Sequence, residues 1–386
     1  MMTVPDAVRT VLQTLTQSGY AAVLVGGCVR DACMGLPPHD FDAATSATPD
    51  EVRACFSAFR TLDTGLKHGT VTVLVAHTPV EVTTFRIDGD YRDHRHPSGV
   101  TFTTELRQDL ARRDFTVNAM AFDGKRIYDP FGGQDDLEKH VIRCVGDADR
   151  RFDEDGLRIL RAMRFASTLG FSMEENTAAA MHRHKELLRC ISVERIWAEL
   201  RKLLCGRNAS AVLTEFADVL RVFLPEADDD GVRQMADAPE TLVVRLALLL
   251  QNTDAGTALR RLHADNRTIR DVSALLSVRA QPLRRMLSAY APEIVCMYWD
   301  LLCARGELSR AEADANIQKT QALLSEKPCL HVRDLAVNGG DLQRLGLQGA
   351  QIGRMLQTLL DAVLDGALPN ARAVLLQFAA EMHLKT

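Results

Sequence analysis

Residues 21–31 read AAVLVGGCVRD, and residues 37–45 read PPHDFDAAT. The apolar run of the first stretch predicts a buried strand, and its glycine pair predicts a turn into a helix whose first backbone N–H groups are open to an anion. Side chains alternate along a strand, so Asp40 and Asp42 would project from one face and could share a divalent cation. An Asp-x-Asp pair alone is more often part of an ordinary surface loop. Whether this pair binds a metal therefore has to be judged from the rest of the chain.

Length and composition set the outer limits. With 386 residues the chain is long enough for two or more domains. Its nine cysteines show no CxxC spacing, which favours reduced thiols in a cytoplasmic protein over a zinc site or disulfides. No signal sequence opens the chain and no apolar stretch is long enough to cross a bilayer, so membrane insertion has no support. The formal net charge of −5 leaves a nucleic-acid partner open, since phosphate binding depends on where arginine and lysine lie.

Helices and strands alternate in the first third of the chain. Apolar spacing predicts a helix over residues 5–18, and a cap residue followed by proline predicts a second helix ending near Phe56. Residues 70–75 and 80–85 are rich in β-branched side chains and predict a hairpin, with the four residues between them as its turn. Glu81 lies on the second of these strands, where it is either a third carboxylate for the metal pair or a solvent-facing residue.

Two polar segments follow the hairpin. Residues 86–100 show no periodicity and many charges, which predicts a functional loop. Further on, Arg112 and Arg113 precede an apolar run. The planar fork of arginine fits phosphate oxygens, although two adjacent arginines could equally solvate a helix end.

From about residue 136 the β signals nearly vanish, and helical patterns continue to the end. The sequence therefore predicts an α+β fold in which an N-terminal mixed sheet with helices is followed by an all-helical C-terminal two-thirds.

One of the predicted helices carries a stripe of charged side chains, Asp155, Arg158, Arg161 and Arg164, at intervals of three residues. Such a stripe can be no more than an exposed face with ion pairs. However, arginine recurs here without lysine and with little compensating acid after Asp155. An aspartate beside an arginine can also pair with the polar edge of a base, and the remaining arginines would then hold phosphates or an RNA end.

Taken in order, the motifs of this chain resemble those of the bacterial class II tRNA nucleotidyltransferases, the CCA-adding enzymes. The motifs are GGCVRD (26–31), DFD (40–42), RRDFTVNA (112–119) and EDGLR (154–158), followed by Arg161 and Arg164. The resemblance is close over residues 20–205, and LAVNGGDL (335–342) resembles the tail of the family. Residues 206–330 share only its helical character.

The resemblance implies an enzyme that adds C, C and A to the 3′ end of tRNA by two-metal nucleotidyl transfer, using CTP and ATP and no template. The residues it assigns to catalysis are Asp40, Asp42 and Glu81, of which Asp40 and Asp42 would bind Mg²⁺. The residues it assigns to nucleotide binding are Gly27, Arg30, Arg113, Glu154, Asp155, Arg158, Arg161 and Arg164. Among these, Asp155 and Arg158 would recognise the base, and Glu154 would orient the arginine.

The implied domains are a catalytic head of nucleotidyltransferase type (1–139), a helical neck for nucleotide recognition (140–205), a helical body (206–310) and a helical tail that binds tRNA (311–386). No membrane and no protein partner is implied. One departure is Gly156, where the family often has alanine or proline. Glycine there would weaken the helix by up to ~1 kcal/mol and loosen the wall of the pocket.

Several alternatives stay open. Bacterial poly(A) polymerases share the head and neck motifs but usually carry a strongly basic C-terminal extension, unlike FAAEMHLKT at residues 378–386. An enzyme that adds only CC would be expected to lack the loop between Phe85 and Arg112, whereas an enzyme that adds only A is harder to exclude. In a different class, the chain could be an inactive RNA-binding paralogue, against which the intact Asp40 and Asp42 argue.

Overall fold

The chain forms two compact units in the computed structural model, Met1–Pro225 (unit 1) and Glu226–Thr386 (unit 2). The structure describes residues 2–38, 40–65, 69–89 and 99–384, the side chain of Thr64 excepted. Unit 1 combines a mixed sheet with helices, and unit 2 is built from helices. The predicted α+β fold is therefore confirmed.

The strands all belong to unit 1. They are β1 (Ala22–Val25), β2 (Asp42–Thr45), β3 (Arg60–Gly65), β4 (Thr70–Val75), β5 (Thr78–Thr84), β6 (Arg86–Asp88), β7 (Val100–Phe102), β8 (Ala121–Phe122), β9 (Ile127–Tyr128), β10 (Val141–Ile142) and β11 (Ser172–Met173). In the described residues a seven-stranded sheet has the order β3-β4-β5-β2-β1-β8-β9. Within it β2 runs parallel to β5, whereas β1 is antiparallel to both β2 and β8.

Helices surround this sheet and continue through the rest of unit 1. They are α1 (Asp6–Gln17), α2 (Gly27–Cys33), α3 (Pro49–Cys55), α4 (Leu106–Ala111), α5 (Gly133–Glu138), α6 (Ala148–Glu154), α7 (Leu157–Leu169), α8 (Glu175–His184), α9 (Val193–Leu204), α10 (Ala209–Glu215) and α11 (Ala217–Phe223). Short 3₁₀ turns occupy Thr116–Asn118 and Lys185–Cys190.

Local sequence explains why several of these elements form. In α3 the side chain of Thr48 caps the helix and Glu51 completes a capping box, with proline at the first helical position, as predicted. The predicted hairpin is β4 and β5, but its turn is only Ala76 and His77, two residues shorter than expected, and both have positive φ. Residues 86–100 were predicted to be one loop; their ends instead pair as β6 and β7, and residues 90–98 lie outside the described residues.

A hydrophobic core in unit 1 packs the strands and the helix that carry or precede the motifs against one another. Val25, Ala44 and Phe85 pack with Leu110 and Ala121, all with at most 2% of their surface exposed. Burial of such side chains contributes about 1.5–3 kcal/mol each for the larger ones. The helix that precedes the paired arginines is thereby packed against the strands that carry the aspartates.

A short parallel pair, β10 with β11, departs from the prediction that residues beyond 136 are all helical. Each strand has two residues, too few for a pattern of alternation to show in the sequence. The pair joins the segment before α6 to the segment before α8.

Unit 2 contains α12 (Asp229–Gln234), α13 (Leu242–Leu249), α14 (Ala255–Arg261), α15 (Asn266–Ser277), α16 (Leu283–Ala289), α17 (Pro292–Ala304), α18 (Arg310–Ser325), α19 (Gly339–Arg344), α20 (Ala350–Leu364) and α21 (Arg372–His383), with 3₁₀ turns at Met235–Asp237 and Val332–Asp334. Near its C-terminal end, Leu342, Leu359 and Leu375 form a fully buried core. The carboxylate of Asp341 is buried at the start of α19 and accepts two hydrogen bonds of 2.6 Å from Arg372. Among the described residues, no helix has both the length and the apolar content that crossing a membrane requires.

Candidate active site

Asp42 and Glu81 lie side by side at one end of the sheet. Asp42, the first residue of β2, is in register with Val25 on one side and with Glu81 of β5 on the other. Residues in register on neighbouring strands point to the same face, so the two carboxylates share a face. Both are exposed, as is Asp40, which lies just before β2. The predicted catalytic side chains are thus all open to solvent.

The surroundings of Asp42 disfavour its negative charge. Its pKa is raised, chiefly because neighbouring atoms displace water from its carboxyl group although the residue as a whole is exposed. Arg113 opposes this rise, and the negative charge of Asp40 adds to it. The charge of Arg113 thus favours the ionised form of Asp42, whereas that of Asp40 disfavours it.

At this end of the sheet, Asp40 and Asp42 form a pair and Glu81 is a neighbour of Asp42, but the three do not form a group of three metal ligands. Throughout residues 2–38, 40–65, 69–89 and 99–384, no three His, Cys, Asp or Glu side chains are arranged so that they could hold a metal together. Mg²⁺ is commonly bound by one or two carboxylates, with water and substrate phosphates as its other ligands. Asp40 and Asp42 fit that kind of site.

The glycine pair brings the chain close to two arginines. Gly26 has a φ of +75°, a conformation that favours glycine, and a Cβ at this position would lie 3.1 Å from Nη1 of Arg113. Gly27 begins α2, and a Cβ there would lie 3.6 Å from Nη2 of Arg30. The predicted turn from strand into helix is present, and it lies directly beside both guanidinium groups.

Asp109, on α4, holds the paired arginines. Its carboxylate is 1% exposed and accepts hydrogen bonds from Arg112 (2.7 and 3.0 Å), from Arg113 (3.3 Å) and from the backbone N–H of Arg86 (3.2 Å). Burial works to raise the pKa of Asp109, but the two arginines outweigh it, and the pKa ends below its usual value. The buried Nε of Arg113 has no hydrogen-bond partner among the described residues. Asp109 therefore fixes the position of both arginines.

Asp114 connects the arginine motif to α7. Two N–H groups of Arg161 donate to one of its oxygens (2.6 and 2.8 Å), and Asn118 donates to the other (3.2 Å). Asn118 in turn accepts a hydrogen bond of 2.8 Å from Arg30. Although burial opposes it, Arg161 lowers the pKa of Asp114 to about 2. Arg30 and Arg161 are thus tied together through two side chains of the 112–119 motif.

Glu154, the last residue of α6, accepts hydrogen bonds from Arg158 (2.6 Å) and Arg151 (2.7 Å). Arg158 also donates to the backbone carbonyls of Arg151 and Arg112, each at 3.1 Å, and is 8% exposed. The guanidinium of Arg158 is therefore fixed between α6 and the paired arginines.

Asp155 lies between α6 and α7 and is held from α9. One of its oxygens accepts a hydrogen bond from the backbone N–H of Leu157 (3.0 Å), and the other accepts one from Arg195 (2.8 Å). Nη1 of Arg195 is buried and has no hydrogen-bond partner among the described residues. Arg195 thus orients the carboxylate that the sequence assigns to base recognition.

Gly156 does not loosen the pocket wall as expected. It precedes α7 as its N-cap, so the cost of glycine inside a helix does not apply there. A Cβ at Gly156 would lie 2.9 Å from the Cβ of Leu187, which is too close. The glycine permits tight packing at this point.

Arg161 and Arg164 find their compensating acids on other segments, which corrects the expectation of a stripe with little acid. Glu199, on α9, accepts a hydrogen bond of 2.5 Å from Arg164 and has an oxygen 3.8 Å from Nη1 of Arg161. Asp114 serves Arg161 from the other side.

Five side chains that hold these arginines and carboxylates have no role predicted from the sequence: Asp109, Asp114, Asn118, Arg195 and Glu199. Asp109 had a local signal, because it lies in the last turn of α4, three and four residues before the paired arginines. Asp114 and Asn118 belong to the motif itself. Arg195 and Glu199 come from α9, and nothing in their spacing links them to residues 155–164.

Three family models match successive parts of the chain. They are described as a poly A polymerase head domain (residues 22–143), a "Probable RNA and SrmB- binding site of polymerase A" (170–230) and domain 2 of tRNA nucleotidyltransferase (237–379). Together they cover most of both units.

Relatives named as CCA-adding enzymes match this chain, one of them over nearly its whole length. A CCA-adding enzyme of Limosilactobacillus fermentum is 38% identical over 400 residues, covering 98% of this chain and 97% of that enzyme. A CCA-adding enzyme of Geobacillus thermodenitrificans is 51% identical over 223 residues, covering 57% and 55%. The crystal structure of the Bacillus stearothermophilus CCA-adding enzyme in complex with CTP has a TM-score of 0.84 and 31% identity, and the match covers 99% of each chain.

Proposed function

This chain belongs to the CCA-adding enzymes, a family of tRNA nucleotidyltransferases, and we propose that it adds C, C and A to the 3′ end of tRNA from CTP and ATP without a template. The end-to-end match with enzymes of that name supports this proposal. The observation on which it rests most is the exposed pair Asp40 and Asp42 beside Arg113, at the end of a sheet. Carboxylates for a cation and an arginine for phosphate would thus act on one nucleotide.

Enzymes of this family use divalent metal ions, and we assign Mg²⁺ to Asp40 and Asp42. Their oxygens are the ligand type that Mg²⁺ prefers, and both side chains are open to substrate. Glu81, in register with Asp42, would act as a further acidic neighbour. When bound, the ion lowers the pKa of the attacking ribose hydroxyl and neutralises charge on the departing pyrophosphate.

Different arginines would bind different parts of the nucleotide. Arg30 and Arg113 flank Gly26 and Gly27 and would bind the phosphates, with Gly27 allowing close approach.

The base would be read between α6 and α7. Asp155 would accept from an exocyclic amine and Arg158 would donate to the ring, with Glu154 and Arg195 holding the two side chains in place. Arg161 and Arg164 would complete the pocket for nucleotide and primer. A CTP edge and an ATP edge present different donors and acceptors to this pair, so both fixed side chains matter for selection.

The domain assignments belong to the same proposal: head 1–139, neck 140–205, body 206–310 and tail 311–386, the last binding tRNA. The tRNA would be held by its backbone and shape, which suits contacts that do not read sequence. A cytoplasmic location is also part of the proposal, in keeping with nine cysteines that are all free thiols.

The direct test is incorporation into tRNA that lacks its CCA end. The full chain is incubated with CTP alone, ATP alone and both, and the products are sized. We expect two residues with CTP alone and three with both nucleotides. Addition of a single A to tRNA ending in CC but no C would indicate an A-adding enzyme, long A tracts a poly(A) polymerase, and binding without incorporation an inactive paralogue.

Asp42→Asn should lower incorporation by about 10³-fold, because the lost carboxylate charge acts on the transition state. Binding of tRNA should change by less than about twofold. Asp50→Asn is a matched control, since Asp50 is an exposed carboxylate on α3 that pairs with Arg53. Loss of tRNA binding in Asp42→Asn, with normal binding in the control, would make the aspartate structural and remove it from catalysis.

A further inference from the structure

Phe165, on α7, lies at the centre of three arginines. The guanidinium carbons of Arg164, Arg30 and Arg161 are 3.8, 5.3 and 5.6 Å from the centroid of its ring. The side chain is 6% exposed, and the ring of Phe115 meets it edge-on with centroids 5.7 Å apart. One aromatic ring therefore contacts side chains from α2 and from two turns of α7.

These three cations need more than their carboxylate partners to stay together. Their guanidinium groups approach one ring in a region with little access to solvent, where like charges repel each other strongly. Burial lowers the pKa of Arg164, and the positive charge of Arg161 lowers it further. The negative charge of Glu199 opposes both effects but does not outweigh them. The face of an aromatic ring attracts cations and supplies a second, negative surface at the centre of the group.

Each arginine is held on one side by an acid and on another by the ring. Arg161 donates to Asp114, Arg164 donates to Glu199, and Arg30 donates to a third acid, Asp31, at 2.7 Å. The acids lie in different segments, whereas the ring is common to all three. A side chain of equal volume without a π face would fill the space but would not attract the guanidinium groups.

We propose that Phe165 is a positioning residue for nucleotide binding, whose ring holds Arg30, Arg161 and Arg164 in the orientation that receives the triphosphate. This inference rests on the proposed function, which assigns Arg30 to the phosphates and Arg161 and Arg164 to the pocket for nucleotide and primer. Pre-oriented arginines lose less side-chain freedom when phosphate binds, so the ring contributes to affinity without touching substrate. Because phosphates are common to CTP and ATP, the ring affects both nucleotides alike.

The test replaces Phe165 in the full chain by 4-fluoro-, 3,4,5-trifluoro- and pentafluorophenylalanine. Fluorine withdraws electron density from the ring face while the side chain stays close to its original shape. The Kd values for CTP and ATP, measured with Mg²⁺ and without tRNA, should rise step by step, by about tenfold across the series. The ratio of the two Kd values should not change.

Phe152 provides the matched control. It is a fully buried phenylalanine of α6, and among the described residues no guanidinium lies over its ring. The same fluorinated series at Phe152 should leave both Kd values unchanged. Phe165→Leu keeps an apolar side chain without a π face and should weaken binding at least as much as the pentafluoro variant.

A flat series at Phe165, or equal slopes at Phe165 and Phe152, would overturn the inference and leave only a packing role. A change in the CTP-to-ATP ratio along the series would also overturn it, because it would mean that the ring acts on the base. Failure of the wild-type chain to extend tRNA would refute the proposed function instead, and the nucleotide Kd series distinguishes the two.

Discussion

At the scale of single residues, the carboxylates that hold the arginines shape the site as much as the arginines do. Asp114 is the clearest case, because it is buried and receives two N–H groups of Arg161 and one of Asn118. Its pKa of about 2 lies below the usual 3.8, so the charged form is favoured in the folded protein. Removing a partner would leave a buried charge uncompensated, which is costly.

Asp114 should make unfolding depend on pH in a predictable window. A folded pKa below the unfolded one adds stability that is fully present above about pH 4 and lost as pH falls through about 2. The difference in unfolding free energy between wild type and Asp114→Asn should therefore shrink by about 1 kcal/mol between pH 6 and pH 3. Urea denaturation at several pH values measures it.

The control for this prediction is a double-mutant cycle with Arg161→Met. Without its main cationic partner, the carboxyl of Asp114 should lose most of the pH dependence that Asn substitution removes. A difference between wild type and Asp114→Asn that stays constant with pH would contradict the assignment of Arg161 as the cause.

Sequence could supply the site residues through motifs but only some of the side chains that hold them. Asp155 and Arg158 belong to one recognisable motif that also contains Glu154, which was expected to orient Arg158 and accepts its hydrogen bond. The residue that holds Asp155, Arg195, comes from α9. Such pairings depend on how helices pack, and helix periodicity carries no information on the partner helix. For the same reason the compensating acids of Arg161 and Arg164 were not expected.

At the scale of elements, the hairpin of β4 and β5 carries Glu81 and depends on a strained turn. Two-residue turns between twisted strands need positive φ at both positions, for which asparagine and glycine are preferred. Ala76 and His77 have φ of +48° and +68° instead. Because neither residue type signals such a turn, the sequence predicted the strands correctly and the turn as too long.

His77→Gly should stabilise the chain by about 0.5–1 kcal/mol. A left-handed conformation costs a non-glycine residue about 1–2 kcal/mol, and glycine avoids this cost. Part of the benefit is lost because glycine also gives the unfolded chain more conformational freedom. His77 is exposed, so no packing is lost. Thr78→Gly is the control: Thr78 is also exposed but begins β5, where glycine should destabilise by a similar amount. Thermal and urea unfolding measure both. Equal destabilisation by the two substitutions would contradict the strained turn.

At the scale of the whole molecule, every residue assigned to catalysis or nucleotide binding lies in unit 1. The same holds for Asp109, Asp114, Asn118, Arg195 and Glu199, which hold them. The division into a part with a sheet and a helical part could be predicted from the hydrophobic pattern along the chain, because strands and helices differ in periodicity. The boundary between compact units at Pro225 had no such signal, since helices lie on both sides of it.

A fragment of residues 1–225 should fold and bind nucleotide without extending tRNA. It ends just after α11, keeps the buried core and contains the complete set of proposed nucleotide contacts. Its Kd for CTP should lie within about threefold of that of the full chain, because less than about 0.7 kcal/mol of binding free energy should be lost. Incorporation into tRNA should fall at least about a hundredfold, because most of the proposed body and all of the proposed tail are removed. Calorimetry with CTP and incorporation assays at matched tRNA concentrations measure the two. Unimpaired incorporation would remove tRNA binding from residues 226–386, and a fragment that folds but does not bind CTP would show that the nucleotide site needs unit 2.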